Sequence, residues 1–364
     1  MEPIEILAMI IASFAGGVLG AALGALPAFV FMGFVIIGGE ALRIAAINIA
    51  GVEFPGYTFE LAFGAFFGPH IAFAGGAAAL AYAAKKGYMG PGFGGNWAPH
   101  KGKNILIAFA GRHADVLLVG GLFGILGWVI FYVSGELLAL PWDPIAVAVV
   151  LSALIHRLVF RYAIIGEIRG NNIFDVSPFE RGETHETDGT GGRPAERGNA
   201  EVWLPWFYKW GNVAIIGLAF GVLGGITFYW TGSMFLAFGF SAATLMFLNL
   251  SFSDDFAAPQ VPVPATHHIT LPAATAVAAY GGFEAAPEIA AVQGEIVLLE
   301  AVLIGAVFGL IGALLGEVAQ RVFFMHGDTH WDPPATSIVL TTLLIAVLAM
   351  VGLFPSAGFV PLPV

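Results

Sequence analysis

Residues 68–82 read GPHIAFAGGAAALAY and residues 266–280 read THHITLPAATAVAAY, and these two stretches decide how the rest of the chain is interpreted. When they are aligned, His70 falls on His268 and both stretches end in tyrosine. Both are apolar and rich in alanine, and each contains a proline, which interrupts the hydrogen-bond ladder of a helix. They predict two related, broken helices in two related halves of one protein.

The composition of the chain is typical of a protein that crosses a membrane with helices. Of its 364 residues 58% are hydrophobic and 11% are charged, whereas soluble domains carry about 25% charged residues. The 49 glycines suit helices that pack through small residues in a bilayer. The chain has no cysteine, which excludes disulfides and thiolate metal sites, and no basic patch, so nucleic-acid binding has no support. The expected partner is the lipid bilayer.

A second pair of motifs extends the repeat to the end of each half. Trp142-Asp143-Pro144 aligns with Trp331-Asp332-Pro333, and glycines of the apolar segments before them align as well. We therefore predict an all-α polytopic membrane protein with about ten transmembrane segments in two tandem five-segment repeats. The repeats are residues 1–166 and 209–364, with a polar, flexible linker at 167–208, and the broken helices are segments 3 and 8.

An odd number of segments in each repeat predicts inverted topology, and the loop charges test it. The loop after segment 3 has five basic residues and no acid, namely Lys85, Lys86, Lys101, Lys103 and Arg112. Its counterpart at 281–295 has no basic residue. Because basic loops stay in the cytoplasm, we expect the first loop and the linker to be cytoplasmic, both termini to be extracytoplasmic, and the protein to lie in the plasma membrane. Re-entrant segments 3 and 8 would put both loops on one side, which the charges disfavour.

The aligned histidines, His70 and His268, are the first candidates for function. Transporters built from inverted repeats bind solutes near the middle of the bilayer, between interrupted helices. A neutral buried imidazole offers one donor and one acceptor, which suits a small polar species, a proton or a metal ion. The alternative is that each histidine only bonds a carbonyl freed by the helix break. Further candidates for the solute pathway are His267, Tyr82, Tyr280, Glu40 and Glu317.

Both of these glutamates have an alternative role. Glu40 precedes Arg43 by three residues and Glu317 precedes Arg321 by four, and residues at either spacing share a helix face. A charge near the bilayer centre costs about 2.5–3.5 kcal/mol on insertion scales, so such groups face a bundle interior and a partner. Each glutamate therefore serves either the pathway or an ion pair.

The loop at 326–332, HGDTHWD, is a candidate metal site. His326, Asp328, His330 and Asp332 alternate along the chain and could surround a divalent metal such as zinc. The alternative is a helix start, with Asp332 as the N-cap before proline. Because the first repeat keeps the Trp-Asp-Pro part and lacks the histidines, that part is expected to be structural.

In plan, the predicted arrangement is similar to that of ammonium channels, which have paired pore histidines and two inverted five-segment repeats, and to that of urea channels. This resemblance implies a transporter or channel for a small polar or cationic solute, an ammonium-like species or a metal ion, and a homo-oligomeric assembly. Two other functions stay open. One is a metal-dependent integral membrane enzyme that uses the His326-Asp328-His330 loop, and the other is a structural membrane component without transport activity.

Overall fold

The fold is helical in a computed structural model that describes most of the chain. The described residues are 2–52, 57–89, 101–106, 113–168, 170–181, 184–186, 197–199, 202–204, 207–250 and 263–363. The first half contains α1 (Pro3–Leu23), α2 (Ala25–Ala45), α3 (Ala74–Lys85), α4 (Ala114–Phe131) and α5 (Pro144–Val159). The linker contains α6 (Ser177–Glu180) and the antiparallel strands β1 (Thr184–Glu186) and β2 (Arg197–Asn199). The second half contains α7 (Trp210–Thr231), α8 (Leu236–Thr244), α9 (Met246–Leu250), α10 (His267–Tyr280), α11 (Ile289–Glu295), α12 (Leu298–Ala319) and α13 (Pro333–Met350).

Several helices are extended or preceded by a π-helical turn. These turns are Ala46–Ala50, Thr58–Ala62, Pro69–Phe73, Tyr132–Leu137 and Gln320–Phe324. With them, six helices of the described part are long and apolar enough to cross a bilayer: Pro3–Leu23, Ala25–Ala50, Ala114–Leu137, Trp210–Thr231, Leu298–Phe324 and Pro333–Met350. The protein is therefore a helical, membrane-embedded protein, as the composition predicts.

The other four predicted segments are shorter than a crossing helix needs to be. α5 has 16 residues, and the α8–α9 stretch is likewise a short apolar helix. α10 has 14 residues, which gives a length of about 21 Å against a hydrocarbon core of about 30 Å. In segment 3 the chain bends between the turn at Thr58–Ala62 and the helix that begins at Pro69. Of the ten predicted transmembrane segments, six contain a described helix long enough to cross a bilayer.

The two short helices α3 and α10 lie at the centre of the protein. In α10 every residue from His267 to Ala279 is buried, and in α3 every residue from Ala74 to Ala84 is buried except Tyr82. A helix that is apolar on all sides is expected in a core, and the many alanines and glycines let neighbouring helices come close. The predicted repeat motif therefore forms the core of each half.

The outer helices of each half pack through glycine. In the first half a methyl group at Gly17 of α1 would overlap the backbone of Gly120 in α4. In the second half a methyl group at Gly221 of α7 would overlap the backbone of Gly305 in α12. The repeated glycine spacing in the sequence thus marks one helix contact that occurs in both halves.

The two halves meet through pairs of antiparallel helices. At the start of α5 the backbone N–H of Asp143 donates to Thr342 Oγ1 in the middle of α13, at 2.9 Å. Near the end of α5, His156 Nε2 lies 3.0 Å from Oγ1 of Thr329, before α13 begins. The two helices therefore run in opposite directions.

A second antiparallel pair joins α2 to α8. Near the end of α2, Glu40 accepts a hydrogen bond from Ser233, which precedes α8. Further back in α2, Gly33 lies against Gly239 and Ala243 of α8. Later residues of α2 thus contact earlier residues of α8, so the two helices are antiparallel. α2, α5, α8 and α13 together enclose the region in which the site lies.

Candidate functional site

His70 and His268 have matching backbone surroundings in the two halves. A methyl group at Gly127 of α4 would overlap the carbonyl oxygen of His70, and one at Gly312 of α12 would overlap that of His268. Both imidazoles are buried, and Nδ1 of each lacks a hydrogen-bond partner in the described part of the chain. A bond from Nδ1 to a carbonyl freed by the helix break is therefore not formed.

The two imidazole rings contact different neighbours. The ring of His70 lies 4.8 Å from that of Phe131, whereas the ring of His268 lies 6.0 Å from Trp203 of the linker and 5.8 Å from His267. Neither ring is part of the lining of the larger cavity described below. Solute passage between these two histidines stays a prediction.

Tyr82 and Tyr280 make equivalent contacts outside this region. The hydroxyl of Tyr82 donates to Asp115 at the start of α4, at 3.0 Å, and that of Tyr280 donates to Glu300 at the start of α12, at 2.9 Å. Tyr88 also donates to Asp115, and this hydrogen bond raises the pKa of the Tyr88 phenol. Each tyrosine thus joins a short central helix to the beginning of a long one.

Glu40 lies in a buried polar network and not in the cavity lining. One of its carboxylate oxygens forms an ion pair with Arg43 and accepts from Ser233, and the other accepts from Thr58 Oγ1 at 2.8 Å. The glutamate is fully buried. The alternative role predicted for it, an ion pair, is the one seen in the structure, and the network also joins α2 to the loop before α8.

Glu317 likewise forms an ion pair, with Arg321, and the pair holds the linker. Arg321 Nη1 donates to the carbonyl of Phe174 at 2.7 Å, and Nη2 donates to that of Tyr208 at 2.9 Å. Asp175 organises the same part of the linker, because its carboxylate accepts hydrogen bonds from the backbone N–H groups of Asn171 and Ser177. These hydrogen bonds lower the pKa of Asp175 to about 2. The linker on both sides of its central part is thus packed against the end of α12. The glycine-rich stretch 187–196, predicted to be flexible, lies outside the described residues.

The four residues predicted to bind zinc are not grouped around one point in the structure. The described residues hold no group of three or more His, Asp or Glu side chains placed to bind a metal ion. His326 Nε2 lies 3.1 Å from the carbonyl of Ile173, whereas the ring of His330 lies 5.6 Å from Phe324. Asp328 and Asp332 do not complete a ligand set with them. The side chains of this loop diverge towards different neighbours.

A cavity of about 480 Å³ lies between the two halves. Its lining contains aligned residues from both, namely Pro69 with His267, Asp143 with Asp332, Ala146 with Ala335 and Val149 with Ile338. It reaches the surface at Phe59, which is 52% exposed, and at the exposed Glu136. Of the predicted site residues, His267 and Asp332 line this cavity.

The cavity lining includes the first residues of several helices. The π-helical turn before α3 begins at Pro69, and α10 begins at His267. α5 begins directly after Asp143, whose carboxylate accepts from the backbone N–H groups of Ile145 and Ala146 at 2.8 and 3.0 Å. A helix N-terminus presents free N–H groups and a positive dipole end. At the start of α5, the carboxylate of Asp143 compensates the positive end of the helix dipole.

A much smaller void continues from the inner end of the cavity. Its volume is about 10 Å³, which is about the space that one water molecule needs. Both spaces share Val149 and Asp332, and the void is closed by Phe73 and His330. The rings of Phe73 and His330 lie 5.6 Å apart, and neither nitrogen of His330 has a hydrogen-bond partner among the described residues. Because Phe73 and His330 are buried, we call this the closed end of the cavity, and we call the exposed part at Phe59 its open end.

Polar contacts seal the closed end further. Arg157 is fully buried, and its guanidinium donates to the side-chain and main-chain oxygens of Thr329, at 3.0 and 2.8 Å, and to the carbonyl of Ile164. The hydroxyl of Thr329 also contacts His156. These bonds fix the end of α5 to the loop before α13.

Several residues of the site carry too weak a signal to be found in the sequence. Glu136, Asp143 and seven phenylalanines line the cavity, but the chain has 32 phenylalanines and their pattern does not mark these. One usable signal was present. Asp143 and Asp332 recur in aligned motifs that start helices, and both residues line the cavity.

Comparisons with known proteins place the chain in a family without giving it an activity. A family model described as "Family of unknown function (DUF7973)" matches residues 1–363. Neither the curated proteins nor the solved structures contain a significant match.

Proposed function

We propose that the chain, which belongs to the DUF7973 family, is a membrane transporter or channel for a small polar or cationic solute. The observation that carries this proposal is the cavity of about 480 Å³ between the two halves, lined by aligned residues of both. Transporters with repeated halves bind their solutes at such an interface, close to broken helices. The size of the cavity falls within the range of about 300–1,000 Å³ typical of small-molecule sites.

The helix contacts support inverted repeats. α5 and α13 start at the aligned Trp-Asp-Pro motifs and pack against each other in opposite directions. Two related helices that meet in this way are related by a two-fold axis perpendicular to them, which lies in the membrane plane when the helices cross it. The paired contacts of His70 with Gly127 and of His268 with Gly312 support the relatedness of the two halves, whatever their orientation.

The cavity then opens to the extracytoplasmic side. Basic loops stay in the cytoplasm, and the loop that carries Lys101 and Lys103 contacts the closed end, where the backbone N–H of His330 donates to the carbonyl of Gly102 at 3.0 Å. The linker is bound to Arg321 at that end as well. The open end at Phe59 and Glu136 lies away from both.

In this proposal the structure represents an outward-open state. Solute enters past Phe59, reaches His267 and Asp332, and is stopped by Phe73 and His330. Movement of one antiparallel helix pair relative to the other would open the closed end and close the open one, the alternating access expected of inverted repeats. Release of Arg157 from Thr329 is part of that movement.

A flux experiment with a blocked cavity tests the proposal. Protein reconstituted into liposomes is given outward gradients of methylammonium, urea and tetraethylammonium in turn, and efflux is compared with that of protein-free liposomes. Ala335→Phe fills the cavity and is expected to reduce the flux at least tenfold. Ala15→Phe, at an exposed position of α1, is the matched control and should leave it unchanged. The absence of flux for all three solutes with folded protein would overturn the proposal.

A further inference from the structure

One wall of the cavity is built almost entirely from phenylalanine rings. The aromatic wall consists of Phe29, Phe59, Phe63, Phe235, Phe238 and Phe359. The ring of Phe235 lies 5.4 Å from that of Phe59, 5.3 Å from that of Phe63 and 5.1 Å from that of Phe359. Phe238 continues the chain of contacts, 5.9 Å from both Phe63 and Phe29. α2, α8, the segment before α3 and the C-terminal tail all contribute to this wall.

The charged residues of the lining are all acidic. They are Glu136, Asp143 and Asp332, contributed by the end of α4 and the starts of α5 and α13. The described lining contains neither Lys nor Arg. A concave, water-poor site with one sign of charge concentrates ligands of the opposite sign. The charged side chains of the lining therefore favour a cation over an anion.

His267, which lines the same cavity, has a ring nitrogen without a hydrogen-bond partner among the described residues. The side chain is only 5% exposed, it lines the cavity, and Nδ1 has no hydrogen-bond partner among the described residues. Its ring lies 4.8 Å from Phe29 and 5.7 Å from Phe238, so it borders the aromatic wall. Buried polar atoms are nearly always bonded. This nitrogen is therefore an unsatisfied polar atom in a side chain that lines the cavity.

We infer that the cavity binds an organic cation that carries hydrocarbon groups, such as a substituted ammonium ion, with its charge between the aromatic wall and the acidic residues. This inference rests on the proposed transport function and narrows its solute. Aromatic faces attract ammonium groups through their quadrupole, and a site of this volume lined mostly by apolar groups is filled by hydrocarbon. A bare ammonium or metal ion would leave most of the wall uncovered and would lose its water shell for few replacement ligands.

Calorimetric titration of the protein in lipid nanodiscs tests the inference directly. The probe is benzyltrimethylammonium, and the comparison compounds are benzyl alcohol, phenylacetate and ammonium. The cation is expected to bind at least tenfold more tightly than the neutral and anionic compounds of similar size, and at least tenfold more tightly than ammonium. Equal or tighter binding of phenylacetate, or of ammonium, would overturn the inference.

Matched variants locate the binding site. Glu136→Gln, at an exposed position, and Asp332→Asn are each expected to weaken binding of the cation about five- to tenfold. Phe238→Leu keeps an apolar side chain and should weaken it about threefold or more. Glu295→Gln and Phe34→Leu change an acid and a phenylalanine that are exposed outside the cavity and should not change the affinity. Undiminished binding in the three cavity variants would place the cation elsewhere.

Binding and flux separate this inference from the proposed function. Tight binding of benzyltrimethylammonium that the cavity variants weaken, without flux of any solute, would support the organic-cation site and remove transport. Flux of methylammonium or urea that Ala335→Phe blocks, without binding of benzyltrimethylammonium, would support transport and remove the organic-cation site.

Discussion

At the scale of single residues, two aligned glycines set how closely the central helices approach their neighbours. Gly127 and Gly312 lie against the carbonyl oxygens of His70 and His268, where a methyl group would overlap backbone atoms. Because backbone cannot move aside as a flexible side chain can, Gly127→Ala is expected to lower the free energy of unfolding by about 1–3 kcal/mol, the usual cost of overpacking. Thermal unfolding in detergent, followed by intrinsic fluorescence, measures the loss.

Gly38→Ala is the control for that prediction. Gly38 lies in α2, and nothing would come within 4 Å of an added methyl group. Since alanine favours a helix over glycine by about 0.5–1 kcal/mol, this variant should be as stable as the unchanged protein or slightly more so. Equal stability of the Gly127 and Gly38 variants would contradict the close contact with His70.

Glu40 carries a second prediction at this scale. Its carboxylate is fully buried and compensates Arg43, which is 7% exposed. Glu40→Ala removes one partner of a buried ion pair and leaves the guanidinium without compensation, so the expected cost is about 3–5 kcal/mol. Glu40→Gln keeps the shape of the side chain and should cost less. Glu60→Gln, an exposed acid on the neighbouring turn, should leave thermal unfolding unchanged, and a similar loss in all three variants would count against the network.

At the scale of elements, the ion pair at the end of α12 holds the linker in place. Arg321 is oriented by Glu317 and donates to carbonyls on both sides of the central part of the linker, at Phe174 and Tyr208. A planar guanidinium can make these bonds at once, whereas an ammonium cannot. Arg321→Lys is therefore expected to speed amide hydrogen exchange at 170–181 at least tenfold, with little change in α7. Lys86→Gln, an exposed cation next to α3, is the control, and unchanged exchange in Arg321→Lys would show that other contacts hold the linker.

The elements also show what a sequence of this kind reveals. The apolar composition and the proline next to His70 sufficed to predict membrane helices and the break in segment 3, because hydrogen bonding in a bilayer leaves few alternatives. The break predicted in segment 8 is not present, because α10 continues through Pro272. The composition and the prolines did not suffice to predict the length of each helix. α10 has only 14 residues, although its sequence is apolar throughout. The position at which α10 ends depends on its packing against α7 and α12. The alternating histidines and aspartates before α13 predicted a metal site, but the direction of each side chain depends on neighbours distant in sequence.

At the scale of the whole molecule, the candidate site is a property of the interface between the halves. His70 and His268 were the residues that the repeat emphasised, yet the cavity is lined by the residue before each of them, Pro69 and His267. A repeat identifies equivalent positions and does not say which side of a helix faces the partner half. The aromatic wall is assembled from segments far apart in the chain, so no local pattern could have identified it.

The proposed inverted arrangement gives a prediction for the whole molecule that the absence of cysteine makes easy to test. Lys86 follows α3 and Glu284 follows α10, at positions that align with the same offset as His70 and His268, and both are exposed. If the repeats are inverted, a single cysteine at Glu284 is labelled by a membrane-impermeant maleimide added to intact cells. A single cysteine at Lys86 is expected to be labelled only after the membrane is permeabilised, because basic loops stay in the cytoplasm.

Labelling of both cysteines from one side would mean that the repeats are parallel, as they would be if α3 and α10 were re-entrant. A cysteine at Asn171 in the linker is the internal control, since the linker and the basic loop both contact the closed end and must share a side. The related helices α5 and α13 pack in opposite directions, which is the arrangement expected of inverted repeats. We therefore expect opposite labelling of the Lys86 and Glu284 positions, and the same labelling of the Lys86 and Asn171 positions.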